Sequence, residues 1–172
     1  MRWKAISILL VVLALATLSA GQTKKADDRA LPRQLSEAEV QAIIKQTNPK
    51  SHVEAALKVS DARLASAMKN AQANEFKAAV EDVDAFADLV IYADDYTRKI
   101  PDAQIKDRNH CLKKLEQTIF KQSRNLEFIS REVPYDEREP IDEKINQVKK
   151  IRLKAVNDLL GGGKTIKTSD EK

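Results

Sequence analysis

The chain has 172 residues, with 30 Lys and Arg against 26 Asp and Glu, a formal net charge of +4. So small a balance over so many charges describes a solvated mixed-sign surface and excludes a nucleic-acid footprint. A single cysteine excludes an intramolecular disulfide, while four glycines and five prolines favour long helices.

The chain opens Met1-Arg2-Trp3-Lys4, a short basic start, and Ala5 to Leu18 follow without a charge. A spanning helix needs roughly 20 apolar residues, so this run is short for a membrane anchor. Small residues close it: Thr17, Ser19, Ala20 and Gly21. Basic start, apolar middle and small-residue exit predict a signal peptide over residues 1–20, cleaved between residues 19 and 22. No cysteine follows the apolar run and no arginine pair precedes it, which points to the general secretion route without a lipid anchor. The chain contains no Asn-x-Ser/Thr acceptor, so a bacterial source and a periplasmic or extracellular location are expected. Losing Arg2 and Lys4 with the leader would leave 28 bases against 26 acids, a formal +2.

Residues 21–34 are polar and read as a flexible lead-in. One all-α domain is expected over 35–160. The first helix, about Glu37 to Gln46, is announced by Ser36 and Glu39 at capping-box spacing and carries Val40, Ile43 and Ile44. Asn48-Pro49 ends it. The second, about His52 to Gln72, repeats the box with Ser51 and Glu54. Val53, Leu57, Ser60, Leu64, Ala67 and Ala71 recur along it at three-four spacing. The third, about Glu75 to Arg98, has two adjacent apolar seams, Phe76, Val80, Val83, Ala87, Val90 and Phe86, Leu89, Ala93, Tyr96, Ile100, and should be the most buried.

The fourth helix is predicted from about Ala103 to Glu132, with Asp102 as its cap. Leu112, Leu115, Ile119, Gln122, Leu126, Ile129 and Val133 form an unbroken heptad seam with one polar member. That polar member, Gln122, suits a register-setting position in a dimer built on this helix. The fifth helix is predicted from about Ile141 to Leu160, with Pro140 in its first turn and Gly161-Gly162-Gly163 as its stop. Ile145, Val148, Arg152, Val156 and Leu159 line one face. Residues 161–172 read as a disordered tail. The expected fold is an antiparallel up-down four-helix bundle, or an array of helical hairpins, with the short first helix attached.

Charge is sorted between two helices. Glu75 to Asp95 holds seven acids and one base, whereas Ile141 to Lys164 holds six bases and three acids. The third and fifth helices are therefore expected to lie side by side. Asp82, Asp84, Asp88, Asp94 and Asp95 form the candidate interaction face, a docking surface for basic groups. They are not a catalytic pair, which needs burial that separates the two pKa values. Nor do they have the loop and glycine turn of a calcium site.

His110-Cys111 is the one adjacent pair of metal-capable residues. Zinc needs four ligands, or three and a water, and neighbours on a helix point about 100° apart. The pair reads as a surface histidine beside a small thiol, and Cys111 as a candidate for an intermolecular disulfide. Gly162-Gly163-Lys164-Thr165 lacks the first glycine and the following helix of a phosphate loop. Tyr92, Tyr96 and Tyr135 are not interleaved with bases and read as core or rim packing. No catalytic residue, cofactor or metal is expected.

The stretch Ala73-Asn74-Glu75-Phe76-Lys77-Ala78-Ala79-Val80 resembles the turn and second-helix opening of a tetratricopeptide unit, with Phe76, Ala79 and Val83 near the positions such units fill. The resemblance covers one hairpin, about residues 52–98. Arg63, Ser66 and Asn70 depart from the large residues such a unit carries in its first helix, and no 34-residue period recurs. The chain is also similar in general character to small exported helical proteins of bacteria. The function expected is that of an exported, non-enzymatic protein of the cell envelope that binds a protein partner or itself. The alternative is a periplasmic chaperone-like or apolar-ligand-binding bundle. Once the leader is removed no transmembrane segment is expected, and no nucleic acid is expected as partner.

Overall fold

The structure is a computed structural model and describes residues 31–161. The leader (1–20), most of the lead-in and the tail beyond Gly161 lie outside the described residues. Among those described, the chain is all-helical: α1 Glu37–Ile44, α2 Pro49–Gln72, α3 Phe76–Arg98, α4 Ile105–Glu132 and α5 Tyr135–Leu159, with a 3-10 turn at Asp102–Gln104. The five helices pack together. α2 lies against α3 and α4, α5 lies against α3 and α4, α3 also touches α4, and α1 rests on α2. No described helix is long and apolar enough to cross a membrane.

The caps follow local chemistry. At α1 both halves of the predicted box form, with the Glu39 carboxylate accepting from the Ser36 backbone N–H at 2.8 Å and the Ser36 hydroxyl accepting from the Glu39 N–H at 3.4 Å. The α2 cap corrects the sequence reading. Asn48, not Ser51, caps this helix, its Oδ1 accepting from the N–H groups of Lys50 and Ser51. Pro49 then occupies the first helical position, where its missing N–H costs nothing. Asn48-Pro49 thus starts a helix as well as ending one. α2 ends in a Schellman motif: the N–H of Glu75 donates to the Asn70 carbonyl at 2.8 Å and that of Asn74 to the Ala71 carbonyl at 3.1 Å. Asn74 holds the left-handed position with φ 62°, which asparagine tolerates better than most side chains.

Two further boundaries differ from expectation. Asp102 does not cap α4. It begins the 3-10 turn, and its carboxylate accepts from Arg108 at 2.6 Å instead. α5 begins six residues early, at Tyr135 after Pro134, and continues through Pro140. Asp136 and Glu137 in its first turn favour the positive end of the helix dipole. The glycine stop is in place at Gly161, φ 84°.

The core is one continuous cluster. All the apolar members of the predicted α2 and α4 stripes are buried, as are Val83, Phe86, Ala87, Leu89, Val90 and Ala93 of α3. On α5 the buried set is Ile141, Ile145, Val148 and Ala155, while Leu159 is exposed. On α1, Ile43 is buried and Ile44 faces solvent.

Candidate interaction surface

The five aspartates of α3 are divided among partners. Asp82 is buried, accepting from Arg63 of α2 at 3.1 Å and from the Asn70 amide at 3.0 Å. Arg63 also donates to both oxygens of Glu39 on α1 and to the Gln34 carbonyl. Three segments are therefore tied through one guanidinium. The Glu39 hydrogen bond is the largest influence raising the Arg63 pKa, outweighing the cost of burial. Burial alone would push the Glu39 carboxyl up, but Arg63 and Ser36 hold it below its ordinary 4.5.

Asp84 and Asp88, one helical turn apart, both face Lys144 of α5, at 3.6 and 3.2 Å. The acidic α3 and the basic stretch of α5 from Lys144 onward do lie together, as their charges led us to expect. Asp94 is buried and accepts from Arg98 at 2.9 Å, and Arg98 reaches on to Asp158 near the end of α5. Burial lowers the Arg98 pKa, but Asp94 and Asp158 more than offset it. Asp95 is half-buried beside Asp94. Asp82, Asp84, Asp88 and Asp94, which read as part of an outward docking face, thus bind bases of this same chain, at Arg63, Arg98 and Lys144.

Cys111 is 1 % exposed, its thiol 3.9 Å from the Pro49 carbonyl. Burial pushes the thiol up from 9.0 to about 11, and the nearby Asp107 and Glu54 add to the rise. An intermolecular disulfide needs an accessible thiolate, so the outward-pairing thiol of the sequence reading becomes a buried one. Its neighbour His110 points elsewhere, to Glu54 at 2.9 Å. Among the described residues no group of three or more His, Cys, Asp or Glu is placed to hold a metal ion.

Gln122, the polar member of the heptad seam, is buried within the chain. Its amide donates to Asp61 of α2 at 2.7 Å and accepts from Asn125 at 2.7 Å. The register it fixes is that of α4 on α2, so the position read as a dimer seam is filled within the chain. The sequence also hid an aromatic group, with His52 and Tyr92 buried and Tyr96 half-buried. His52 stacks on Tyr96 at 4.2 Å and lies 2.7 Å from the Tyr92 hydroxyl. A carbonyl can only accept, so the contact of Nδ1 with the Gln46 oxygen at 3.2 Å places a proton on Nδ1. Tyr92 and Tyr96 are one turn apart on α3, a spacing visible in the sequence, but nothing local indicates that His52 closes on them. Tyr135 is 87 % exposed, so it packs in neither core nor rim.

A further exposed surface is the outer side of α4 and α5. Phe120 and Leu153 are each 63 % exposed and Leu160 is 81 % exposed. Arg152 spans the two helices, its guanidinium 4.6 Å over the Phe120 ring and hydrogen-bonded to Glu116 at 2.9 Å. Further along the same hairpin, Lys149 meets Glu127 at 3.7 Å beside a groove that Ser130, Arg131, Asp142, Ile145 and Asn146 also line.

No known protein family, curated protein or solved structure matches this chain.

Proposed function

We propose that this chain is an exported, non-enzymatic interaction protein of the cell envelope, which acts by docking its helical surface on a partner. The helices are read as an antiparallel up-down four-helix bundle with α1 attached. The observation that carries the reading is the pair Phe120 and Leu153, large apolar side chains held in solvent on adjacent helices while the core behind them is closed. An isolated exposed apolar residue is ordinary, but apolar side chains gathered on one surface and rimmed by charge suit a contact site. The polar groove beside Lys149, in which Ile145 is the apolar member, suits a polar contact better than a greasy guest, so the apolar-ligand alternative gains no support there.

The test is gentle affinity capture from an envelope extract with the wild-type chain and with Phe120→Glu. The reading expects a stoichiometric envelope component on the wild type that the variant loses. A wild type that purifies alone and sediments as a monomer ends it.

A further inference from the structure

The charge around Phe120 and Leu153 says what such a contact would be. On α4, Lys106, Lys113, Phe120 and Arg124 recur at steps of seven, seven and four, which places them on one stripe, and all four are exposed. On α5, Lys149, Lys150, Leu153 and Leu160 recur at steps of one, three and seven along one exposed side. The Arg152 guanidinium over Phe120 shows that the two stripes are neighbours. From Lys144 to Asn157 there are five bases and no acid; Lys144 is held on Asp84 and Asp88 of α3, while Lys150 and Lys154 are exposed. The acids nearest these stripes on α4, Glu116 and Glu127, are paired with Arg152 and Lys149, and the exposed acids Asp136, Glu137, Glu139, Asp142 and Glu143 of α5 lie in its first half, before this basic stretch.

We propose that this outer α4–α5 face binds peripherally to an anionic lipid bilayer. The proposal rests on the reading of the face as a docking surface and names its occupant. A protein partner of high affinity needs a central pocket for its anchoring side chain. Here Phe120 and Leu153 project outward, and the nearby groove is polar. A bilayer asks only for apolar tips that enter the headgroup layer and flexible cations that stay above it. Most of the bases are lysines, compact point charges on long stems, which suit a diffuse field more than bidentate recognition of a fixed carboxylate. Charge and apolar contact together supply the two signals that stable surface binding requires.

The test is vesicle co-sedimentation of the whole chain with phosphatidylglycerol–phosphatidylethanolamine vesicles and with phosphatidylcholine vesicles. Wild type is expected to bind the anionic vesicles at least about tenfold more tightly, with the preference falling as salt rises. Phe120→Ser with Leu153→Ser, which leaves the charge unaltered, should weaken anionic binding about tenfold. Lys113→Glu with Lys150→Glu should weaken it roughly thirtyfold. The apolar start of the chain is common to every variant, so differences between variants report this face. Unfolding curves should coincide, because all four positions are exposed. Equal binding to both vesicle types, or variants that bind like wild type, overturns the lipid proposal. If Phe120→Glu still loses an envelope protein in the capture experiment, the docking reading survives that failure; if it loses nothing there either, both fall.

Discussion

Arg63→Met tests the idea that one guanidinium holds α1, α2 and α3 in place. Methionine keeps an unbranched stem and removes the charge, so loss of packing is small. The substitution deletes three hydrogen bonds to carboxylates and one to the Gln34 carbonyl. The Arg63 and Glu39 side chains are each 23 % exposed and that of Asp82 is 12 % exposed. Exposed pairs contribute about 0–1 kcal/mol, and breaking a buried pair costs about 3–5 kcal/mol. A hub that is mostly but not fully covered falls between them, at roughly 2 kcal/mol, or about 6–8 °C in Tm for a domain of this size. The pH dependence has a fixed sign. Glu39 has a folded pKa below 4.5, so its contribution is present above that value and is lost as pH falls through the folded pKa. The gap between wild type and Arg63→Met should therefore be widest near neutral pH and narrow in acid. Urea unfolding at several pH values, with Glu39→Gln as the second member of a double-mutant cycle, measures it. A cost below about 0.5 kcal/mol near neutral pH, or a gap that stays constant into acid, would refute the hub.

Other substitutions test the corrected boundaries and the core. Asn74→Gly should leave stability equal or slightly raised, while Asn74→Ala should cost about 1 kcal/mol, because a Cβ is disfavoured at φ 62° in the absence of asparagine's local hydrogen bonding; equal Tm values for the two would count against the Schellman turn. Gln122→Leu perfects the heptad pattern, yet it should cost about 1–2 kcal/mol in urea unfolding because it strips the Asp61 and Asn125 contacts. A more stable Gln122→Leu, or a change in sedimentation, would restore the dimer seam. Native Cys111 should resist alkylation and run as a monomer on non-reducing gels. Its raised pKa means that the thiol's contribution to stability is intact below 9.0 and lost as pH climbs toward 11; rapid modification near neutral pH would contradict that burial.

The seams were readable because burial follows helical period. In α2 and α4 each position of the predicted stripe is buried, Ser60 and Gln122 included, since a helix that presents one face to a core leaves no choice about which residues enter it. Boundaries were less readable. Asn48-Pro49 satisfies the chemistry of a stop and of a start, and only the fold chooses. Pro140 suits a first turn, but the chain already turns at Val133 and Pro134, so the helix begins there and runs through the later proline. The acids of α3 were legible as a cluster and their orientation was not. Arg63, Arg98 and Lys144 approach from 19 positions upstream, four positions along and 56 positions downstream of their partners, and sequence proximity records only the second.

Those ion pairs change the meaning of the net charge. A formal +4 averages an acidic α3 with the basic stretch of α5 from Lys144 to Asn157, and the average suggests a surface without a preferred sign. The fold spends four α3 acids internally: Asp82 on Arg63, Asp94 on Arg98, Asp84 and Asp88 on Lys144. Lysines 106, 113 and 150 and Arg124 are exposed on α4 and α5, where Glu116 and Glu127 are paired with Arg152 and Lys149. Pairing the α3 acids inside the helix packing leaves the exposed bases of α4 and of the later part of α5 to set the charge where the two stripes meet. Screening at physiological salt acts over about 8 Å, so an anionic surface approaching that side meets the local bases and not the whole-chain average. Phe120 and Leu153 then set the character of the contact. A purely electrostatic platform has no use for two apolar side chains in solvent, whereas a surface with an apolar interior beneath an anionic skin rewards both features together.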